Sequence, residues 1–461
     1  MRKLFLFLAL LISTSAISQV TNSTINGTIK DKKGETLPGS TIQITLTSTG
    51  TKYGASADVN GTFHIFNANT GGPYKVKVTS VGYKGLEKDG VYLTLGSNDL
   101  DIHLEEETTQ LSEVVVTATK GGTKTGAGIY LGEEKLKSVP TLSRAITDFT
   151  KLVPQSVNNS FAGTNFRYNN VTIDGTINND AIGFSPSLGG QGGTSGMPGS
   201  STRTSPISID AIQDIQVYIA PYDVKVGNFV GGSINAITRS GTNDIKGSIY
   251  GFGRNGALAG FNTTSDYVDA QTGFRIGLPL IKNKLFLFTN EEITHRNEPV
   301  FYGANSGGLV DEVTAKKISD YTQTKYGYNV GEYKDYSIGS NSKKFFNRLD
   351  WNINDNNQLT LRNNTTISDA TNLERDAANF RFGSQDFRQN VDQSASVLEL
   401  RSHLGSASNS LILGYTNIHD YRTPLSENFG FPQTEIAYNG GTIFIGNERE
   451  ATIFNLKQKT F

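Results

Sequence analysis

The side chains that most often perform chemistry are sparse or poorly spaced in this sequence. Cysteine is absent from the 461 residues, so disulfides and thiolate metal sites are excluded. The histidines are His64, His103, His295, His403 and His419. Their positions show no spacing of the kind that holds zinc or another metal. The sequence therefore predicts no metal site.

Two short motifs resemble ligand loops but lack the residues that would complete them. The run from Asp350 through Asn352 to Asp355 has the alternating oxygen side chains of a calcium loop, yet the glycine and the closing glutamate are missing, which favours a hairpin turn. The glycine-rich run 189–193 lacks the Lys-Ser/Thr pair of a phosphate-binding loop. No serine elbow or paired carboxylates stand out. We therefore expect no cofactor and no enzymatic activity.

One segment has the composition of a strand that could be donated to another protein. It lies in the run Leu111–Thr119, which is rich in valine and is flanked by polar and glycine-rich sequence. Its residues are Glu113, Val114, Val115, Val116, Thr117 and Ala118. An extended segment of this type can pair with the exposed sheet edge of a partner. The alternative is a strand of a neighbouring domain.

The N-terminus has the features of a secretory signal peptide, predicted over residues 1–18. Arg2 and Lys3 precede the apolar run Leu4–Ile12, and the small residues that follow place cleavage between Ser18 and Gln19. No later segment is apolar over the roughly 20 residues that a spanning helix needs. If the mature chain lies in a membrane, it must do so as a β-barrel. The formal net charge of -1 gives no bulk attraction to nucleic acid.

The first mature module, residues 19–104, is predicted to be a small β-sandwich of about seven strands. Ile42, Ile44 and Leu46 alternate with polar residues, as in a strand buried on one face. The runs Leu37–Ile42 and Asp58–Phe63 resemble the carboxypeptidase-regulatory-like domain, whose fold is related to carbohydrate-binding sandwiches. Tyr53 and Tyr83 could stack on a ligand, although packing within the sandwich is favoured.

Residues 121–244 form a second module with both helical and strand patterns. A helix is predicted over Thr141–Val153, followed by strands near Val171–Gly175, Ile215–Tyr218 and Val230–Thr238. These pieces resemble the α+β plug domain of TonB-dependent outer-membrane receptors. Ala220–Asp223 departs from the usual plug pattern and is closer to the Oar-like subgroup. The resemblance extends to residues 105–120, where Glu113–Ala118 matches the TonB box within a linker.

From residue 245 to 461 the pattern is that of an antiparallel transmembrane β-barrel. Arg348 and Asp350 alternate with apolar residues, as do Glu399 and Arg401, so charges line one face and apolar side chains the other. About eight strands are predicted, with short turns near 281–283, 354–357 and 405–409 and long loops between them. Eight strands cannot enclose a plug of this size. We therefore expect that the sequence stops within the barrel.

The resemblance implies a mainly β receptor for energised uptake, in the outer membrane of a Gram-negative cell. The sandwich and the TonB box would face the periplasm. The implied partners are TonB with its inner-membrane complex, outer-membrane lipid, and an unidentified small-molecule, glycan or peptide ligand. Two alternatives are a surface protein with an adhesive or structural role and a receptor that signals to an anti-sigma factor. The predicted sandwich, in place of an α/β signalling domain, argues against the latter.

Overall fold

The computed structural model of the chain consists mainly of β-strands, which confirms the predicted fold class. The described residues are 22–106, 127–141, 144–157, 160–164, 169–179, 200–219, 230–258, 267–373, 375–404, 407–425 and 430–461. No helix within these ranges is long and apolar enough to cross a membrane. The strands fall into a sandwich, an inner domain and a long antiparallel sheet, here called the wall.

The sandwich contains eight strands in two sheets. They are β1 (Ser23–Asp31), β2 (Thr41–Leu46), β3 (Lys52–Ser56), β4 (Thr62–Ala68), β5 (Gly71–Thr79), β6 (Leu86–Leu93), β7 (Gly96–Asp99) and β8 (Ile102–Leu104). One sheet has the order β4-β1-β7, with β8 also paired to β1, and the other has the order β3-β2-β5-β6. Tyr53 is buried in the core between them and Tyr83 packs against that core, as the packing interpretation predicted.

Close packing between the two sheets explains why β1 carries a glycine at its centre. A Cβ atom on Gly27 would lie 2.0 Å from the carbonyl oxygen of Leu100 and 2.8 Å from the ring of Phe63. Only a residue without a side chain allows β1 to approach the segment before β8 this closely. The alternating burial of β2, which buries Ile42, Ile44 and Leu46, supplies the facing layer.

The inner domain is built on a five-stranded sheet in the order β13-β12-β15-β14-β9. Its elements are β9 (Ala127–Leu131), α1 (Glu133–Ser138), α2 (Ile146–Thr150), β10 (Ser156–Val157), β11 (Ser160–Phe161), β12 (Asn170–Ile173), β13 (Thr176–Ile177), β14 (Ile212–Ile219) and β15 (Gly232–Thr238). β15 is buried along its whole length, between the parallel β12 and the antiparallel β14.

The helix predicted over Thr141–Val153 is wrong in its extent, because α2 covers only five residues. Arg144 has a φ of 51°, a left-handed conformation that cannot belong to a right-handed helix. Leu152 is 39% exposed instead of buried. Ile146 and Phe149 are fully buried, so the apolar spacing predicted the inward face correctly but not the length. Helix α1 was not predicted.

The wall contains eight antiparallel strands, the number predicted. They are β16 (Lys246–Asn255), β17 (Val268–Ile281), β18 (Leu285–Val300), β19 (Tyr336–Asn354), β20 (Asn357–Asn372), β22 (Phe387–Leu404), β23 (Ala407–Pro424) and β26 (Asn455–Thr460). Three connections at one end are short, after Ile281, Asn354 and Leu404, as predicted. The motif at 350–355 runs along the end of β19 into one of these hairpin turns. The wall is an open sheet with β16 and β26 at its edges.

The two faces of the wall differ in polarity as the sequence predicted. On β19, Arg348 and Asp350 are buried on the inner face, whereas Trp351 is 40% exposed on the outer face. On β22, Glu399 is buried and its neighbour Leu398 is 37% exposed. Apolar side chains therefore point away from the inner domain, toward the position of lipid, and charged side chains point toward the inner domain.

The long connections fold into a compact unit at the opposite end of the wall, a structure that was not predicted. It contains α3 (Glu312–Tyr326) and the small sheet of β21 (Asn379–Arg381), β24 (Thr434–Tyr438) and β25 (Gly441–Ile445). Phe380, Phe382 and Ile443 are fully buried at its centre. This unit, here called the outer cap, is therefore held by its own apolar core.

Candidate functional site at the contact of the inner domain with the wall

The inner domain lies against the concave face of the wall, and only a small part of this contact is apolar. Phe288 and Phe346 from the wall join the core of the inner domain, with their ring centroids 6.1 Å apart. Most of the remaining contact consists of ion pairs and hydrogen bonds. These polar contacts form three groups between the short-turn end and the outer cap.

The group nearest the short turns is centred on Glu399, which is 1% exposed. Its two carboxylate oxygens accept hydrogen bonds from Arg362 at 2.8 Å and from Arg401 at 2.7 Å. Arg362 also lies 3.6 Å from the carboxylate of Asp174 in the inner domain. All three wall residues point inward because they occupy alternate positions on paired strands. A buried charge network thus joins the wall to the inner domain.

Thr238, the last residue of β15, connects this network to a second ion pair. Its backbone N–H donates to Asp174 at 2.9 Å, and its hydroxyl donates to the same carboxylate at 2.5 Å. Its carbonyl oxygen accepts from Arg348 at 3.0 Å, and Arg348 forms a bidentate pair with Asp350. Asp174 reaches Thr238 because it has a φ of 49° in the tight turn between β12 and β13.

The second group is centred on Glu292 on β18, which is 3% exposed. It pairs with Lys344 at 2.8 Å and accepts a hydrogen bond from Ser208 of the inner domain at 2.6 Å. Tyr250 donates to the same carboxylate at 3.1 Å. Ser208 also caps the 3-10 turn before β14, accepting from the backbone N–H of Asp210. The wall therefore contacts the inner domain at a structural cap.

The third group, nearest the outer cap, contains hydroxyls and backbone carbonyls. Thr202 and Ser368 are 2.7 Å apart, and Thr204 donates to Ser342 at 3.0 Å. The carbonyl oxygen of Pro206 accepts from two wall side chains, at 2.9 Å and 2.8 Å. A net hydrogen bond contributes only about 0.5–1.5 kcal/mol. A contact assembled from many such bonds can be exchanged stepwise with water.

The sandwich contacts the short-turn end of the wall. Asn67 donates to Ser408 at 2.5 Å, and Asn352 donates to Thr51 at 3.0 Å. Arg401 donates to Asn69 of the sandwich at 2.6 Å, so the Glu399 network reaches all three units. The sandwich therefore covers part of the opening on this side of the inner domain.

Two carboxylates of the inner domain near the sandwich have shifted pKa values. Burial raises the pKa of Asp214 to about 6, while the hydrogen bond from Tyr130 opposes the shift. Burial also acts to raise the pKa of Glu133, but Arg239 and Lys137 outweigh it and lower that pKa to about 2. Asp214 is therefore a titrating group near neutral pH, and Glu133 is an ion-pair partner.

The two sets of site residues predicted from the sequence lie outside the described residues. They are the proposed TonB box, Glu113–Ala118, and the proposed cleavage site, Ser18 and Gln19. The sequence did indicate the inward charges of β19 and β22. It did not indicate that Asp174, Ser208 and Thr238 of the inner domain contact Arg362, Glu292 and Arg348 of the wall. Within the described ranges no three His, Asp or Glu side chains are grouped so as to hold a metal ion.

Two segments match known domain families. Residues 24–105 match the Carboxypeptidase regulatory-like domain, and residues 237–306 match the Outer membrane beta barrel domain. The first segment corresponds to the sandwich. The second contains β16 to β18 and places the wall in the outer membrane of a Gram-negative cell.

A curated relative covers most of the chain. The TonB-dependent transporter Oar of Myxococcus xanthus is 23% identical over 405 residues, which are 81% of this chain and 36% of Oar. The chain thus spans about a third of the length of this relative. Oar is named as a transporter and not as an enzyme, in agreement with the prediction of no enzymatic activity.

Two solved proteins, one named as a transporter and one as a receptor, have a partly similar structure. The outer membrane transporter YddB of Escherichia coli is 12% identical, with a TM-score of 0.48, over 72% of this chain and 44% of YddB. The siderophore receptor PirA of Acinetobacter baumannii is 16% identical, with a TM-score of 0.44, over 72% of this chain and 43% of PirA. On the two domain-family matches, the chain is an outer-membrane β-barrel protein with a carboxypeptidase regulatory-like domain, and it is similar to the TonB-dependent transporter Oar.

Proposed function

We propose that the chain belongs to a TonB-dependent receptor that imports a scarce ligand across the outer membrane. The observation that carries this proposal is the polar contact between the inner domain and the wall. A domain held in a membrane wall by hydrogen bonds and ion pairs can shift to open a path, because water replaces such bonds at low cost. The similarity to Oar supports the same function. An adhesive or structural role would not require a movable inner domain.

The position of the proposed TonB box supports a mechanical role for the inner domain. Glu113–Ala118 precedes β9, which is an edge strand of the five-stranded sheet and, among the described strands, pairs with β14 alone. Force applied to the segment before Ala127 would act first on the five residue pairs between β9 and β14. Release of β9 would then expose β14 and loosen the polar contacts that follow it.

The outer cap supports a ligand-binding role at the end of the wall that faces outward. A cavity of about 240 Å³ lies among its loops, with Arg381, Phe444 and Glu448 in its lining. Such a mixture of apolar, cationic and anionic side chains suits a small polar molecule, a glycan or a peptide. We propose a ligand of this kind, with TonB and its inner-membrane complex as the energising partners.

The experiment that tests this function replaces Glu113–Ala118 by a Gly-Ser segment of equal length in the full native protein. Energised uptake should be abolished, whereas ligand binding to intact cells should be unchanged, because the outer cap and the wall are untouched. The matched control replaces Lys120–Thr125 in the same way and should retain uptake. Uptake at the native rate in the Glu113–Ala118 variant would contradict the proposal and would favour the adhesive alternative.

Export to the outer membrane requires removal of the proposed signal peptide. Cleavage after Ser18 would leave Gln19 as the first residue of the mature chain. The intact mass of protein purified from an outer-membrane fraction measures this directly. A mass that includes residues 1–18 would contradict the proposed cleavage.

A further inference from the structure

A cavity of about 290 Å³ lies where the sandwich, the inner domain and the wall meet. The sandwich contributes Asn69 and Thr70 to its lining, and the inner domain contributes Asp174 and Gln213. One buried water needs roughly 10–15 Å³ on the same measure, so the cavity has room for several water molecules. It is therefore large enough for a hydrated anion or a small organic molecule.

Positive charge predominates in the lining of this cavity. Five arginines contribute to the lining, namely Arg239, Arg275, Arg348, Arg362 and Arg401. Lys137 and Lys246 add two more cations, whereas Glu133 and Asp174 are the two carboxylates that the lining contains. The arginines also pair with Asp210, Asp350 and Glu399 nearby. Among the described residues this gives seven cations against five carboxylates.

The excess positive charge coincides with an unused hydrogen-bond donor. The Nε atom of Arg362 is buried and has no hydrogen-bond partner among the residues that the structure describes, although the rest of this guanidinium binds Glu399 and Asp174. The side chain of Arg362 is 3% exposed. A buried unpartnered donor of a charged group costs free energy unless a ligand or water accepts its proton. The lining thus offers both a net charge and an open donor to an anion.

We propose that this cavity binds a phosphate group, which links the sandwich to the inner domain and the wall. The cationic side chains of the lining come from separate elements, with Arg239 directly after β15 of the inner domain and Arg275 and Arg348 on two strands of the wall. Such an arrangement suits a tetrahedral anion with several acceptor oxygens better than a planar carboxylate. Arginine also binds phosphate through two parallel hydrogen bonds, which adds to the preference.

Occupation of the site would stabilise the docked position of the sandwich. The cavity is bounded on the sandwich side by Asn69, which accepts from Arg401, and by Thr70, whose carbonyl oxygen accepts from Gln213 at 3.3 Å. An anion among the arginines would reduce the repulsion between cations that these contacts bring together. Loss of the anion would weaken docking without breaking a covalent bond.

Isothermal titration of the purified full native protein with inorganic phosphate tests this proposal. We expect saturable binding, weakened roughly tenfold or more by Arg239→Gln, since a charge-assisted hydrogen bond is lost. Arg449→Gln is the matched control, because its side chain is 74% exposed in the outer cap. This control should bind phosphate as the native protein does. A second titration uses glycerol phosphate. Tighter binding of glycerol phosphate than of inorganic phosphate would indicate a phosphorylated headgroup as the source, and weaker binding would indicate free phosphate.

A second substitution is expected to strengthen phosphate binding. Stronger binding cannot result from loss of folding. Glu133 pairs with Arg239 at 2.7 Å and competes with the anion for this guanidinium. Glu133→Gln should therefore tighten phosphate binding. The proposal is overturned if the native protein shows no saturable binding, if Arg449→Gln loses affinity as Arg239→Gln does, or if Glu133→Gln weakens binding.

Discussion

At the scale of single residues, Glu399 is the carboxylate on which the buried charge network depends. It neutralises Arg362 and Arg401, which are 3% and 7% exposed. A buried ion pair contributes little net stability compared with apolar packing, but removal of one partner leaves an unpaired buried charge. Glu399 therefore has more effect on stability than the exposed carboxylates of the outer cap.

Glu399→Gln should lower the free energy of unfolding by about 3–5 kcal/mol, because two arginines lose their shared carboxylate. The measurement is the urea concentration at which half of the purified protein unfolds. Glu450→Gln makes the same chemical change at a side chain that is 48% exposed, and should leave the midpoint almost unchanged. Equal midpoints for the two variants would show that the network does not support the fold.

Asp214 should make stability depend on pH. Its pKa is raised by burial to about 6, so between its usual value near 3.8 and about 6 the folded protein binds more protons than the unfolded one. Stability therefore falls as pH rises through this window, by up to about 3 kcal/mol for a shift of roughly two pKa units.

Asp214→Asn should remove this part of the pH dependence and raise the melting temperature at pH 8 relative to the native protein. Thermal unfolding from pH 4 to pH 8 measures both effects. The exposed carboxylate Asp320, changed to Asn, serves as the control, since its side chain is 63% exposed. If the melting temperature of the Asp214→Asn variant depends on pH as that of the native protein does, another group causes this pH dependence.

At the scale of secondary-structure elements, the sandwich depends on the close approach of β1 to the segment before β8. A side chain at position 27 would collide with the backbone of Leu100. This backbone cannot move without separating the paired strands. The five-stranded inner sheet has a similar restriction at Gly232, where a Cβ atom would lie 2.6 Å from the ring of Phe161. Both glycines are required for packing and not for a turn.

Gly27→Ala should destabilise the sandwich by roughly 1–3 kcal/mol or more through overpacking, while the wall stays folded. Limited proteolysis should then cut within residues 22–104 faster than in the native protein. Gly85→Ala is the control, because its added Cβ atom would lie 3.6 Å from the nearest atom, an ordinary contact. Similar cleavage rates for the two variants would contradict the packing argument.

At the scale of the whole molecule, the sandwich covers the short-turn end through which an imported ligand would leave. Asn67 contacts Ser408 there, and the 461 residues contain no cysteine. A disulfide between these two positions would hold the sandwich against the wall. If release of the ligand requires the sandwich to move, this lock should stop transport.

The double variant Asn67→Cys/Ser408→Cys should block energised uptake under oxidising conditions and recover it after reduction. Ligand binding at the cell surface should be unchanged in both states. Each single cysteine variant should transport normally, which excludes an effect of the substitutions themselves. Normal uptake by the oxidised, cross-linked protein would show that the sandwich can stay docked during transport.

Local patterns in the sequence predicted the eight strands of the wall, because strand periodicity is a local property. The inward charges of β19 and β22 and the short turns between wall strands follow from alternation and spacing alone. Helix α3 could also have been found, since Asp311 caps its start and Gly327 ends it with a φ of 65°. Helix α3 was not predicted because its apolar face is weak and because it lies in a long connection between wall strands.

The tertiary structure decided which residues meet across the units. Asp174 and Arg362 are 188 positions apart. Glu292 is 84 positions from Ser208, and Arg348 is 110 positions from Thr238. No local pattern relates residues at such separations. The sequence by itself determined a β-sandwich, a mixed inner domain and a wall with one charged face. Only folding could place the sandwich against the short turns and enclose a cationic cavity, because these contacts depend on long-range geometry and not on periodicity.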